Sequence, residues 1–273
     1  MFRTRHQRNN VTVAFHMVEL IYHSIVRNLR KQHRSAVIGL LMNAVQGATM
    51  IGVFYLMFQL LGQRTAPIRG DFMLYIISGV MVYIIHIKSV SAIVGAENST
   101  SGMMLHAPMN TTISITAAAI STLYTQIFSL AIILTFYHLV VTPIEIHAPV
   151  QALGMVIASW FTGTSVGLVL LALKPWFPTA VPIVVTLYTR MNMITSGKMF
   201  VVNTLPSTLL SAFDWNPLFH VIDQTRGYVF LNYNPNFTTV SYPLYVGVAF
   251  VVIGLMGEFF TRQRASTSWE AGR

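Results

Sequence analysis

Long apolar runs separated by short polar ones set the pattern of this chain. A membrane-spanning helix needs about 20 mostly apolar residues. Six runs read as spans: 36–61, 72–94, 113–141, 150–173, 176–196 and 244–261. The first carries no charge, and the second has Lys88 toward one end. The fifth is the weakest, because it contains Arg190 together with Pro178 and Pro182. Glu258 sits near the end of the last.

Residues 12–34 follow a different rhythm. Met17, Ile21, Ile25 and Leu29 recur every fourth position, while Arg27, Arg30, Lys31 and Arg34 crowd the C-terminal end. That pattern predicts an amphipathic helix lying in the membrane interface, its cations meeting lipid headgroups.

Two connections are too long or too specific to be plain loops. Segment 95–112, "GAENSTSGMMLHAPMNTT", opens with polar helix starters, places Met103, Met104 and Leu105 together, and ends near Pro108. An apolar cluster outside the membrane marks a surface for a protein partner. Segment 197–243 joins "MFVVNTLPSTLLSAF", too short to cross, to "DWNPLFHVIDQTRGYVF". Short broken helices at membrane depth are tolerated where protein buries them. The expectation is two short re-entrant helices split near Asp214–Pro217, with Asn216 as N-cap and Pro217 at the first helical position. His220, Asp223 and Gly227 then share a helical face, and Arg226 stands three residues after Asp223, spaced for an ion pair.

The fold class is therefore an all-α membrane protein forming one transmembrane domain. It has six transmembrane helices, an N-terminal interfacial helix and short outer re-entrant helices before the last span. Composition agrees. Of 273 residues, 54% are hydrophobic and 9% charged, against about 25% charged in soluble domains. The net charge of +9 is a topology signal rather than a nucleic-acid one. Arg3, Arg5, Arg8, Arg27, Arg30, Lys31 and Arg34 all precede the first span, which holds the N-terminus in the cytoplasm. An even number of spans returns Arg262, Arg264 and Arg273 to that side, with Lys88 and Lys174 at cytoplasmic helix ends. Arg64, Arg69, Lys198 and Arg226 are left outside. Residues 1–35 lack an uninterrupted apolar core, so no cleaved signal is expected.

Catalytic chemistry is hard to find. The absence of cysteine removes disulfides, thiolate metal sites and cysteine nucleophiles. Gly197-Lys198 lacks the upstream glycine of a phosphate-binding loop, and neither H-E-x-x-H nor G-x-S-x-G occurs. His86, His138 and His147 fall at different depths, which suits helix-end anchors better than paired haem ligands. No metal site or bound cofactor is expected. Gly163-x-x-x-Gly167 permits close helix contact, either within the chain or between two copies. Aromatics within spans, Tyr55, Phe58, Tyr75, Tyr83, Trp160 and Tyr188, suit stacking on sugar rings as well as lipid anchoring. Arg190 is the costliest residue for lipid and is expected to face a cavity or partner.

In this order of parts, with Asn216-Pro217-Leu218 followed by Arg226, the chain resembles the membrane subunit of a type-2 ABC exporter. Within that family it is most similar to the permeases for capsular polysaccharide and O-antigen. The resemblance covers essentially the whole chain. It implies a homodimer in the bacterial inner membrane, with both termini cytoplasmic and two separate cytoplasmic subunits binding ATP and Mg. Glu97, Met103, Met104, Leu105 and His106 would couple to those ATPases. Arg190, Tyr188, Tyr55 and Phe58 would line the path of a lipid-linked polysaccharide. Asn216, Pro217, Leu218, Asp223 and Arg226 would shape the outer gate. An acidic glycan would suit Arg190, Lys198 and Arg226, and periplasmic export proteins are further expected partners. Alternatives are an exporter of lipid, drug or teichoic acid, or a non-transport protein such as a haem-bearing cytochrome subunit or an embedded transferase.

Overall fold

The computed structural model describes residues 10–31, 36–62, 68–96 and 111–270. Among these the regular elements are helices: α1 (Asn10–Lys31), α2 (Ala36–Leu60), α3 (Phe72–Val94), α4 (Thr111–Val140), α5 (Pro149–Leu173), α6 (Ala180–Thr195), a short 3-10 turn (Val202–Thr204), α7 (Ser207–Phe213), α8 (Pro217–Val229) and α9 (Ser241–Glu270). The protein is an all-α, multi-pass membrane protein.

Among the described residues, five stretches are long and apolar enough to cross a membrane: Val37–Leu60, Phe72–Val94, Thr111–Val140, Pro149–Leu173 and Ser241–Thr261. The run expected to supply a sixth crossing, 176–196, forms a helix of only 16 residues. At 1.5 Å per residue it is roughly 24 Å long, short of a hydrocarbon core of about 30 Å. The turn around Pro175 and Pro178 delays its start, and Pro182 is tolerated because it falls in the first turn.

Helices α3 and α5 form the centre, with 72% and 67% of their apolar windows buried against 33% for α2 and 22% for α9. Small residues explain the closeness of the α3–α5 seam. A Cβ at Gly163 would run into the His86 carbonyl, and one at Gly167 would lie 2.8 Å from Ile93 Cβ. The Gly-x-x-x-Gly motif therefore packs two helices of one chain. Ser159 Oγ reinforces the seam by donating to Val82 O at 2.7 Å.

The helix ends are held by polar side chains. Asp71 caps α3 by accepting from Leu74 N at 2.9 Å, and Tyr137 donates to its other oxygen at 2.7 Å. At the opposite end Lys174 Nζ donates to Val94 O at 2.8 Å, placing a cation on an orphan carbonyl of α3. The amides of His147 and Ala148 donate to Val229 O and Tyr228 O, closing the last turn of α8. His86, expected as an interfacial anchor, is instead fully buried. Its Nδ1 lies 3.2 Å from Ser159 O, and its Nε2 2.8 Å from the Tyr188 hydroxyl. The tautomer satisfying both donates from Nδ1 and accepts at Nε2.

Candidate functional site

The outer segment splits where the sequence predicts. Helix α7 ends at Phe213, residues 214–216 turn, and α8 begins at Pro217. Asn216 holds extended backbone, and its Oδ1 accepts from Leu218 N at 3.0 Å. Its amide nitrogen reaches back to Asn192 Oδ1 and Thr195 Oγ1, each at 3.0 Å. One residue thus caps α8 and ties it to the end of α6.

The two short helices differ in depth. No residue of α7 is buried, whereas α8 buries Pro217, Leu218, Phe219, Val221 and Ile222 against α3 and α5. Helix α8 is a plug seated in the bundle.

Its polar residues bind the plug to its surroundings. Arg226 has no exposed surface. Its Nη1 donates to Gly197 O at 2.8 Å and Phe200 O at 2.6 Å, while Nη2 donates to Lys198 O at 2.7 Å. Gly197 makes this carbonyl turn possible, because its φ of +78° ends α6 in the left-handed region. The guanidinium Cζ lies 4.2 Å from the centre of the Tyr75 ring. Gly79 on α3 provides the room: a Cβ there would sit 2.8 Å from Nη2.

The ion pair expected between Asp223 and Arg226 does not form. Asp223 accepts instead from the Tyr233 hydroxyl and, at 2.8 Å, from Thr238 Oγ1. Burial raises its carboxyl above the ordinary range, opposed by those two bonds and by the charge of Arg226. His220 turns to Asp214, with Nε2 2.7 Å from the backbone oxygen and 3.1 Å from Oδ1, while its Nδ1 accepts from Thr239 N. Apart from Arg226 Nε, which is buried without a partner among the described residues, these groups are satisfied in this way and hold backbone segments together.

Lys198, read from the sequence as an outer cation suited to an acidic glycan, is instead buried in the bundle. It is 2% exposed. Its Nζ donates to Met193 O at 2.8 Å and stands 3.7 Å from the Tyr83 ring centre and 5.1 Å from that of Phe54. Burial pulls its ammonium down to about 7. Lys198 and Arg226 are therefore closed to an acidic glycan and committed to backbone carbonyls. The detectable signal was Ser196-Gly197-Lys198 just after an apolar helix, a glycine stop with a cation behind it.

The residues expected along a substrate path fall in different settings. Phe58 lies in the apolar core at 4% exposure and packs on Phe72, as does half-buried Tyr55. Tyr188 is engaged by His86, and Trp160 donates to Ala119 O. Tyr75 and Tyr83 serve as shelves for Arg226 and Lys198. Arg190 alone of the proposed polar contacts is exposed, and among the described residues it has no hydrogen-bond or ionic partner. It projects from α6, whose buried residues are Val181 and Asn192. Glu97, Met103, Met104, Leu105 and His106 lie outside the described residues.

Comparison with protein-family models gave no match. A search of curated proteins gave none either.

Proposed function

We propose that this chain is the channel-forming membrane subunit of an ATP-driven exporter of the type-2 ABC kind, moving a lipid-linked polysaccharide across the bacterial inner membrane. Arg190 carries the reading. An arginine at the centre of a membrane helix costs about 2.5–3.5 kcal/mol on insertion scales and less toward an end; this one lies five residues before the end of α6 and is exposed on a largely uncovered helix. Lipid is a poor neighbour for it. A second copy of the chain facing α6 across a hydrated conduit would give the guanidinium water and glycan hydroxyls to bind.

In this reading α6, lengthened by the turns at 174–179, completes a sixth crossing and both termini face the cytoplasm. Two ATPase subunits, which hold ATP and Mg, dock on the 95–112 segment and on α1. Their closure pushes those elements and alternates the seam between the two copies. The plug α8, latched by Asn216 and Arg226, shapes the exit, and Tyr188, two residues before Arg190, braces α6 against His86 of α3.

The test is surface glycan in cells carrying Arg190→Ala. Export should fall at least tenfold while the chain still co-purifies with its ATPase; normal export would remove Arg190 from the path. Met103→Asp with Leu105→Asp should release the ATPase instead. ATP hydrolysis by the purified chain without a partner would sink the whole assignment.

A further inference from the structure

A second polar feature lies on the other side of α3. Val90 and Val94 pack with Val181 of α6, whereas Lys88, Ser91 and Gly95 turn toward a cleft of about 470 Å³ between α1, α2, α3 and α4. That volume falls in the range of small-ligand sites. The cleft opens at the end of the bundle where α2 begins and α3 ends, away from the plug.

Its chemistry is cationic and rich in amides. Among the described residues Arg27 and Lys88 are the ionisable side chains on its wall, and no carboxylate lines it. Lys88 Nζ donates to the neutral Gln46 Oε1 at 3.1 Å and has no acidic partner among the described residues. Asn28 and Asn43 add polar groups from α1 and α2. Gln126 of α4 is the sharper sign. It is 3% exposed, lines the cleft, and makes no hydrogen bond with any described residue. Its amide atoms are not among those sealed from solvent without a partner, so they open onto the cleft and are free to bond a ligand there.

The surroundings point to where such a ligand comes from. Lys88 is six residues before the end of α3, roughly 9 Å along the axis, a depth from which a lysine reaches the headgroup layer. Exposed apolar residues stand on the same two helices that bound the mouth: Phe15, Val18 and Tyr22 on α1, Val37, Ile38 and Leu41 on α2. These offer surface for acyl chains beside a pocket for an anion.

We propose that this cleft binds the phosphate ester of an anionic membrane lipid from the leaflet at the α1 end, with Lys88 and Gln126 as its principal contacts. The site is distinct from the Arg190 face and holds whether or not the chain exports a glycan.

The experiment uses the purified full chain in neutral detergent, with lipid retention read by native mass spectrometry and titration. The probes are dioleoylphosphatidylglycerol, dioleoylphosphatidylcholine and inorganic phosphate. Phosphatidylglycerol should bind at least tenfold tighter than phosphatidylcholine, and Lys88→Gln should weaken it about tenfold, the equivalent of one charge-assisted hydrogen bond. Lys88→Arg should restore it. Gln126→Leu should also weaken binding while leaving the unfolding midpoint of the lipid-free protein no lower, because the side chain makes no hydrogen bond with any described residue. An undiminished midpoint separates a lost ligand contact from a damaged fold. Equal affinity for the two lipids, or unchanged phosphatidylglycerol binding in Lys88→Gln, overturns the proposal. Binding of inorganic phosphate alone, without the lipid, would overturn the lipid assignment in favour of a soluble anion.

Discussion

Replacing Arg226 by methionine keeps most of the side-chain volume and removes three charge-assisted hydrogen bonds to Gly197 O, Lys198 O and Phe200 O. Each such bond is worth about 1.5–3 kcal/mol in isolation. Their sum overstates the loss, because the buried guanidinium also gives up its desolvation penalty. Three buried carbonyls left unsatisfied cost about 1–3 kcal/mol each, and after the offset about 3–5 kcal/mol is the expected destabilisation. For a protein of this size it lowers the thermal midpoint by roughly 10 °C. The assay is unfolding of the detergent-solubilised chain followed by tryptophan fluorescence, since Trp215 sits at the break before the plug. Gly79→Ala supplies an internal check. Its Cβ would lie 2.8 Å from Nη2 and 3.0 Å from Lys198 O, so it should destabilise the wild-type background by about 1–3 kcal/mol. In the Arg226→Met background the first of those clashes is gone, and the two changes together should cost less than their sum. A midpoint within 2 °C of wild type for Arg226→Met (roughly 1 kcal/mol or less), or strict additivity of the pair, refutes the latch.

Asn216→Ala should cost about 2 kcal/mol, combining a lost cap with two lost bonds to α6. Asn216→Asp should recover about half, since a carboxylate still caps but cannot donate; equal loss in both variants would count against the cap. Lys198→Met should remove a pH dependence. Burial holds the folded ammonium at about 7, below its unfolded value, so the unfolded chain binds more protons between those two values. Wild-type stability should therefore rise as pH is raised above about 7, while the variant stays flat over that window and is the more stable of the two below it. Parallel profiles would show that Lys198 does not titrate there. Arg190→Ala, by contrast, should leave the unfolding midpoint unchanged, because the side chain is exposed and unpartnered among the described residues.

Local chemistry on one strip of sequence was readable in advance, and chemistry between distant strips was not. Asn216-Pro217 announces a cap and a first helical turn whatever surrounds it, so the break between α7 and α8 follows from those residues alone. The apolar runs likewise give α2, α3, α4 and α5 to within about two residues, the usual latitude of helix ends. The Asp223–Arg226 pair failed for an equally physical reason. Spacing on a helix makes an ion pair available, but buried groups go to whichever partners satisfy more of their bonds. For Arg226 these are three carbonyls presented by a glycine turn some 26–29 positions earlier. For Asp223 they are two hydroxyls 10 and 15 positions later. His86 departs from its expected interfacial setting for the same reason, since Ser159 and Tyr188 on other helices enclose it. The short α6 shows the limit of hydropathy, because 176–196 is apolar enough to read as a span while its prolines shorten the helix.

The buried plug also constrains how the molecule can be made. Segment 217–229 is too short to span and carries His220, Asp223 and Arg226, residue types that disfavour direct entry into hydrocarbon. Its partners are the turn at 197–200, the α3 face at Tyr75 and Gly79, and residues 233–239. None of these is arranged until α3 and α5 have come together. The apolar helices must therefore be laid into the bilayer and assembled first, with the plug entering last as a post-insertion step. A chain arrested before Tyr233 would leave Asp223 without the Tyr233 and Thr238 hydroxyls, exposing an unfinished, charge-bearing helix to membrane quality control.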